Sequence, residues 1–194
     1  YERAIQDFDE AIRLEPQYAP AYGNRGNIYS ALDQYERALQ DYDEVIRLDP
    51  QDALAYHNRG NTYGSLGRYQ RAIEDYDEAV RLEPQNALAY DGRGNAYLNL
   101  GQYQQAGDNF NEAIRLEPQN ALAYNSRGNA YLGLGRYARA IEDFAEAIRL
   151  DPQVALAYYN RGNTFNTLGH YARAIQDYDE VIRLAPQDAL AHHN

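Results

Sequence analysis

The chain has no cysteine, which excludes disulfides and thiolate-bound metals and makes a reducing, cytoplasmic setting the expected one. It also lacks methionine, tryptophan and lysine, so all 18 basic residues are arginine, an imbalance with no functional explanation in the sequence. Acidic residues number 29, and the net charge is −11. That balance disfavours a nucleic-acid backbone, which needs clustered cations, and an anionic membrane surface. No run approaches the ~18 apolar residues of a membrane-spanning helix, and there is no signal-like start. Nucleophilic triads, H-E-x-x-H and phosphate-cradling glycine loops are missing too. The sequence therefore predicts no enzyme, no metal site and no cofactor.

What is present is a period. Prolines stand at 16, 50, 84, 118, 152 and 186, each 34 residues from the last. Such spacing signals stacked repeats. It predicts one continuous array of full repeats at 19–52, 53–86, 87–120, 121–154 and 155–188. A second-helix fragment at 1–18 precedes them, and 189–194 begins a further repeat. Tyr1 and Asn194 both fall in mid-repeat, so the expectation is a segment of something longer.

Each repeat reads as two helices. Tyr56, Gly60 and Tyr63, with Leu66, form an i, i+4, i+7 stripe in the first; Ala72, Tyr76 and Ala79, beside Ile73 and Leu82, do so in the second. Gly67 is placed to close the first helix and Pro84 to stop the second. Asp52, Asn86, Asn120 and Asp188 occupy N-cap positions before the next repeat. Short connections make the pair antiparallel. Glycine costs a helix interior roughly 0.5–1 kcal/mol, so Gly26, Gly60, Gly94, Gly128 and Gly162 need a packing reason. For Gly60 the expected neighbours are Ala72 and Ala79, with Tyr56 and Tyr76 on the flanks.

The signature Tyr56, Gly60, Tyr63, Leu66-Gly67, Tyr69, Ala72, Tyr76, Ala79 and Pro84 resembles the tetratricopeptide repeat, along the whole chain. Tyrosine replaces the family's usual tryptophan, Arg stands where Leu is common, and Asp33 replaces a loop glycine. The resemblance implies an all-α, right-handed α-solenoid of antiparallel helix pairs. Its first helices would line a concave groove that binds a peptide segment of a protein partner.

At 100° per residue, a second face of each first helix lies opposite the buried stripe, centred on Asn27, Asn61, Asn95, Asn129 and Asn163. One turn earlier come Asn24, Asn58, Gly92, Ser126, Asn160 and Asn194. A carboxamide offers an acceptor and two donors, matching a peptide main chain. The pattern is similar to the asparagine ladder in the repeats of O-linked N-acetylglucosamine transferase. The sequence leaves open the alternative that these amides bond to neighbouring helices. Gly23, His57, Asp91, Asn125 and Tyr159 share one register and supply the groove's variation. Tyr159 reads either as an interface anchor or as packing on the next repeat. A carboxylate clamp for acidic C-termini is disfavoured, because Leu54, Leu88 and Leu122 stand where the cations would be. The competing functional class is a scaffold that self-associates head to tail through uncapped ends.

The Arg of each R-G-N lies toward the buried stripe and needs a partner. An Asp follows 16 residues later in Arg25/Asp41, Arg59/Asp75, Arg127/Asp143 and Arg161/Asp177, predicting ion pairs between the two helices. Asp43/Arg47 and Asp77/Arg81 read as i, i+4 surface pairs. The third full repeat departs: Gly107 replaces the core residue supplied by Leu39, Ile73, Ile141 and Ile175, and Asn109 leaves Arg93 without its mate. The second helix near 103–117 is accordingly expected to be the least stable internal element.

Overall fold

The computed structural model describes residues 1–185; Asp188, His192, His193, Asn194 and the 189–194 segment lie outside them. Among the described residues there are eleven helices and no strand. The first helices of the repeats are α2 (Ala19–Ala31), α4 (Ala53–Ser65), α6 (Ala87–Asn99), α8 (Ala121–Gly133) and α10 (Ala155–Thr167). The second helices are α1 (Glu2–Leu14), α3 (Tyr35–Leu48), α5 (Tyr69–Leu82), α7 (Tyr103–Leu116), α9 (Tyr137–Leu150) and α11 (Tyr171–Leu184). The fold is an all-α solenoid of helical hairpins. It divides into two compact units, residues 1–96 and 97–194, with the division inside α6. In the first, α2 pairs with α3 and α4 with α5, and α1 and α3 also pack on the helices that follow them; in the second, α8 pairs with α9 and α10 with α11.

Local chemistry sets the helix ends. Asp52 Oδ1 accepts from the Ala55 N–H at 3.0 Å, Asn86 from Ala89 at 3.2 Å, and Asn120 from Leu122 and Ala123. Gly67, Gly101, Gly135 and Gly169 follow the first helices with φ between 68° and 75°. Asp33, at φ 56°, holds the same left-handed turn, and its carboxylate accepts from the Tyr35 hydroxyl. Aspartate tolerates that conformation better than most side chains.

The helix-interior glycines have a different neighbour from the one expected. A Cβ on Gly60 would sit 3.0 Å from the Tyr76 ring, so the residue it faces is Tyr76, not Ala72 or Ala79. Gly26 meets Tyr42 in the same way, Gly128 meets Phe144 and Gly162 meets Tyr178. The ring, not a pair of alanines, is the spacer between the two helices. Gly107 is different: it is buried, yet a Cβ there would meet nothing within 4 Å. Leu39 and Ile73 are buried at the equivalent position, but Ile175 is 58% exposed and not core. Among the described residues no helix follows α11 to cover it.

The four expected ion pairs form, each a two-bond contact: Arg59 Nε and Nη2 reach Asp75 at 2.9 and 2.6 Å, and Arg25, Arg127 and Arg161 hold Asp41, Asp143 and Asp177 likewise. The third guanidinium nitrogen adds a leg that the sequence reading missed. Arg59 Nη1 takes Asp43 of α3 at 2.6 Å, Arg25 takes Asp9, Arg93 takes Asp77, and Arg127 takes Asn111 at 2.9 Å. Two expectations are thereby corrected. Asp43 and Asp77 bridge to the next repeat instead of pairing with Arg47 and Arg81, which turn to Glu44 and Glu78 at i−3. Arg93 is not without a mate, since it holds Asp77. The planar five-donor fork makes this three-way contact possible, and lysine could not reproduce it.

Two stability measurements test this packing. Gly107→Ala should raise the melting temperature, gaining about 0.5–1 kcal/mol of helix propensity. Gly128→Ala should lower it by about 1–3 kcal/mol, because its Cβ would fall 2.5 Å from the Phe144 ring. For the tripods, Asp75→Ala should cost about 3 kcal/mol in urea unfolding, the low end for a broken buried pair because Asp43 still holds Arg59. Asp43→Ala should cost under about 1 kcal/mol, since that side chain is 55% exposed.

Candidate functional site

The asparagine-centred face is built by the ring-on-glycine contact. A tyrosine seated on that glycine carries its hydroxyl to the ladder amide one residue further on. Tyr42 donates to Asn27 Oδ1 at 2.8 Å, Tyr76 to Asn61 Oδ1 at 2.7 Å and Tyr178 to Asn163 Oδ1 at 2.7 Å. The oxygen is thus spent internally in these three; the NH2 of Asn61 is bonded to His57, while those of Asn27 and Asn163 make no bond among the described residues. Burial and the neighbouring carboxylate push the Tyr42 phenol up to about 12, so it remains a donor at neutral pH. Phe144 has no hydroxyl, and Asn129 makes no hydrogen bond among the described residues.

The other expected residues separate by role. Asn58 Nδ2 donates to Asn27 Oδ1 at 3.1 Å, tying α4 to α2, and Asn160 Nδ2 donates to Asn125 Oδ1 at 3.0 Å, tying α10 to α8. Asn125 is only 3% exposed and is a helix-to-helix contact. Asn24, Asn27 and Asn61 are exposed, while Asn95, Asn129 and Asn163 are half-buried. Asp91 Oδ2 accepts from Asn95 Nδ2 at 3.0 Å. Tyr159 is half-buried and tilts against Tyr178 with ring centroids 6.4 Å apart.

His57 is the most constrained member. Its ring meets Tyr76 edge-on at 5.8 Å, and Nε2 lies 2.9 Å from Asn61 Nδ2. Because that amide nitrogen can only donate, Nε2 is the accepting nitrogen and Nδ1 carries the proton, buried without a partner. Burial lowers the pKa of His57 below its ordinary 6.5.

The structure gives weight to leucines that the sequence reading set against a clamp, Leu54 also falling on the asparagine-centred face, and adds Leu156 to them. Leu54, Leu88, Leu122 and Leu156, all at one register of their helices, are between 53 and 61% exposed. In the first unit, Leu54 joins Asn24, Asn27 and Asn58 around a cavity of about 320 Å³. The signal was the recurring A-L-A-Y, whose leucine is flanked by alanines that are buried, except for the half-buried Ala155. No group of three or more His, Cys, Asp or Glu able to hold a metal occurs among the described residues, and no helix there is long and apolar enough to cross a membrane.

Comparison with known proteins decides the family. Profiles described as "Tetratricopeptide repeat" match residues 125–189, 53–86, 8–40 and 75–108, and one described as "TPR repeat" matches 26–67 and 94–135. The chain belongs to the tetratricopeptide-repeat family. Among solved structures, YrrB, described as a TPR protein with an unusual peptide-binding site, is 29% identical with TM-score 0.75, covering 96% of each chain. A MamA fragment from Desulfovibrio magneticus RS-1 is 26% identical with TM-score 0.80, covering 88% of this chain and 97% of that one. The Cut9–Hcn1 assembly of the APC/C, 21% identical with TM-score 0.83 over 98% of this chain and 38% of the other, shares the fold alone. A search of curated proteins gives no match. Membership of this tetratricopeptide-repeat family supports a role as a protein–protein interaction scaffold.

The His57 assignment has a pH consequence. With its folded pKa depressed, the unfolded chain binds the proton first, so stability contributed by this residue is present above about pH 6.5 and is lost on acidification. The melting temperature of His57→Asn should therefore fall less than that of the parent between pH 7.5 and pH 5.5, in differential scanning calorimetry.

Proposed function

We propose that the chain is a non-enzymatic interaction module that holds an extended peptide segment of a partner protein along the asparagine-centred face of its first helices. The observation carrying this reading is the pairing of unspent amide groups with exposed leucines on that face. Asn129 and the NH2 ends of Asn27 and Asn163 have no bond among the described residues, and Leu54, Leu88, Leu122 and Leu156 are more than half exposed. An extended peptide needs both: donors for its carbonyl oxygens and apolar surface for alternate side chains. The peptide-binding description of YrrB, at 29% identity, adds support.

The spent oxygens fix which substitutions can test this. Removing Asn61 would strand the Tyr76 hydroxyl and lower stability whatever the function. Asn129→Ala together with Leu122→Asp removes no side-chain hydrogen bond among the described residues, and leaves the backbone N–H of Leu122 on Asn120. Peptides selected from a random display library on the parent chain should bind this double variant at least about tenfold more weakly, with the melting temperature unchanged. A library that yields no binder, or binders indifferent to the double variant, overturns the proposal; light scattering in the same samples reports self-association.

A further inference from the structure

The register Gly23, His57, Asp91, Asn125, Tyr159 holds a side chain in every full repeat but the first. In two of them the side chain does the same thing. His57 Nε2 takes the NH2 of Asn61 at 2.9 Å, and Asp91 Oδ2 takes the NH2 of Asn95 at 3.0 Å. In two, an aromatic ring leans on the second-helix tyrosine: His57 on Tyr76 and Tyr159 on Tyr178. At Gly23 there is nothing to do either. The 320 Å³ cavity lies there, with Tyr42 and Asn27 among its lining.

Asn27 is held ready. Its Oδ1 is filled twice, by the Tyr42 hydroxyl at 2.8 Å and Asn58 Nδ2 at 3.1 Å, which fixes the amide plane and leaves only Nδ2 to offer. That nitrogen has no acceptor among the described residues. Pro20, Val45, Leu54 and Ala55 supply apolar wall, and among the described residues the charged lining is Asp49 and Asp52. Asp49 Oδ1 accepts from the Gln51 N–H and Asp52 Oδ1 from the Ala55 N–H at the start of α4, so each carboxylate keeps its second oxygen.

We propose that the Gly23 cavity is a socket for a partner's tyrosine or histidine, taking the place that His57 fills one repeat later, and that a lysine or arginine beside it pairs with Asp49 and Asp52. The aromatic body lies against Tyr42 and Leu54, and its acceptor atom receives Asn27 Nδ2. The acidic rim, on a chain of net charge −11, selects a basic segment over an acidic one. This rests on the groove reading above and names the chemistry of one subsite within it.

The test is fluorescence anisotropy of the labelled peptide Gly-Ser-Lys-Tyr-Lys-Ser-Gly with the full chain. Versions carry Phe, His or Ala at the centre, or Glu for both lysines. Tyrosine and histidine should bind about tenfold tighter than alanine and severalfold tighter than phenylalanine, and the Glu version should not bind. Gly23→His fills the socket from within; its Cβ meets Val45 at an ordinary 3.7 Å, so the fold is retained and binding falls about tenfold. Gly23→Asn, the residue at the equivalent position 125, is the second filling variant should histidine destabilise the chain. Equal binding of tyrosine and phenylalanine, or binding indifferent to both Gly23 variants, overturns the socket; library-selected peptides that still bind the parent leave the groove reading standing. If no peptide binds at all, both fail. Self-association abolished by Gly23→His, without peptide binding, overturns it in favour of a second copy as occupant.

Discussion

An aromatic ring laid on a glycine is the contact on which the rest depends. It sets how closely the two helices of a hairpin approach, since a single added carbon on Gly60 or Gly128 would meet the ring of Tyr76 or Phe144. It also aims the phenol at the next amide, so the orientation of Asn27, Asn61 and Asn163 is a by-product of core packing. Core and asparagine-centred face are therefore not independent layers. Tyrosine, rather than phenylalanine, at these positions trades a fully apolar core atom for a directed hydrogen bond.

The arginine tripods complement this contact along the other axis. Two bonds run within a hairpin and the third reaches the preceding one, so Arg59 fastens α3, α4 and α5 at a single guanidinium. The stacking of hairpins is thus held by directional, charge-assisted bonds as well as by alanine-rich apolar contact. In α9, Ala145 stands where Asp43, Asp77 and Asn111 supply the third leg, and Arg161 is left with its two bonds to Asp177. Nearest-neighbour coupling in such arrays depends on interface bonds of this kind.

The fold was readable because its determinants are periodic: the proline spacing and the aromatic–glycine–aromatic stripe recur in each full repeat, capping side chains recur in most, and none needs tertiary information. The Arg–Asp pairs were readable for the same reason. What was missed depends on geometry between hairpins. Nothing in the spacing of Asp43 distinguishes a bond to Arg47, four residues on, from one to Arg59, sixteen residues on. Nor could sequence tell that Asn125 turns inward while Asn27 stays exposed, because both sit on the same nominal face of their helices. The cavity at Gly23 was likewise visible only as a missing side chain; its walls come from three helices and a turn.

Phe144 carries a further meaning. Where a phenol is present, the amide above it is locked with one polarity toward solvent. Above Phe144 no such lock exists, and a half-turn of the Asn129 carboxamide exchanges oxygen for nitrogen without breaking any internal bond. The group at that point is able to present either an acceptor or a donor pair. One missing oxygen atom thus frees this rung of the ladder to show either polarity.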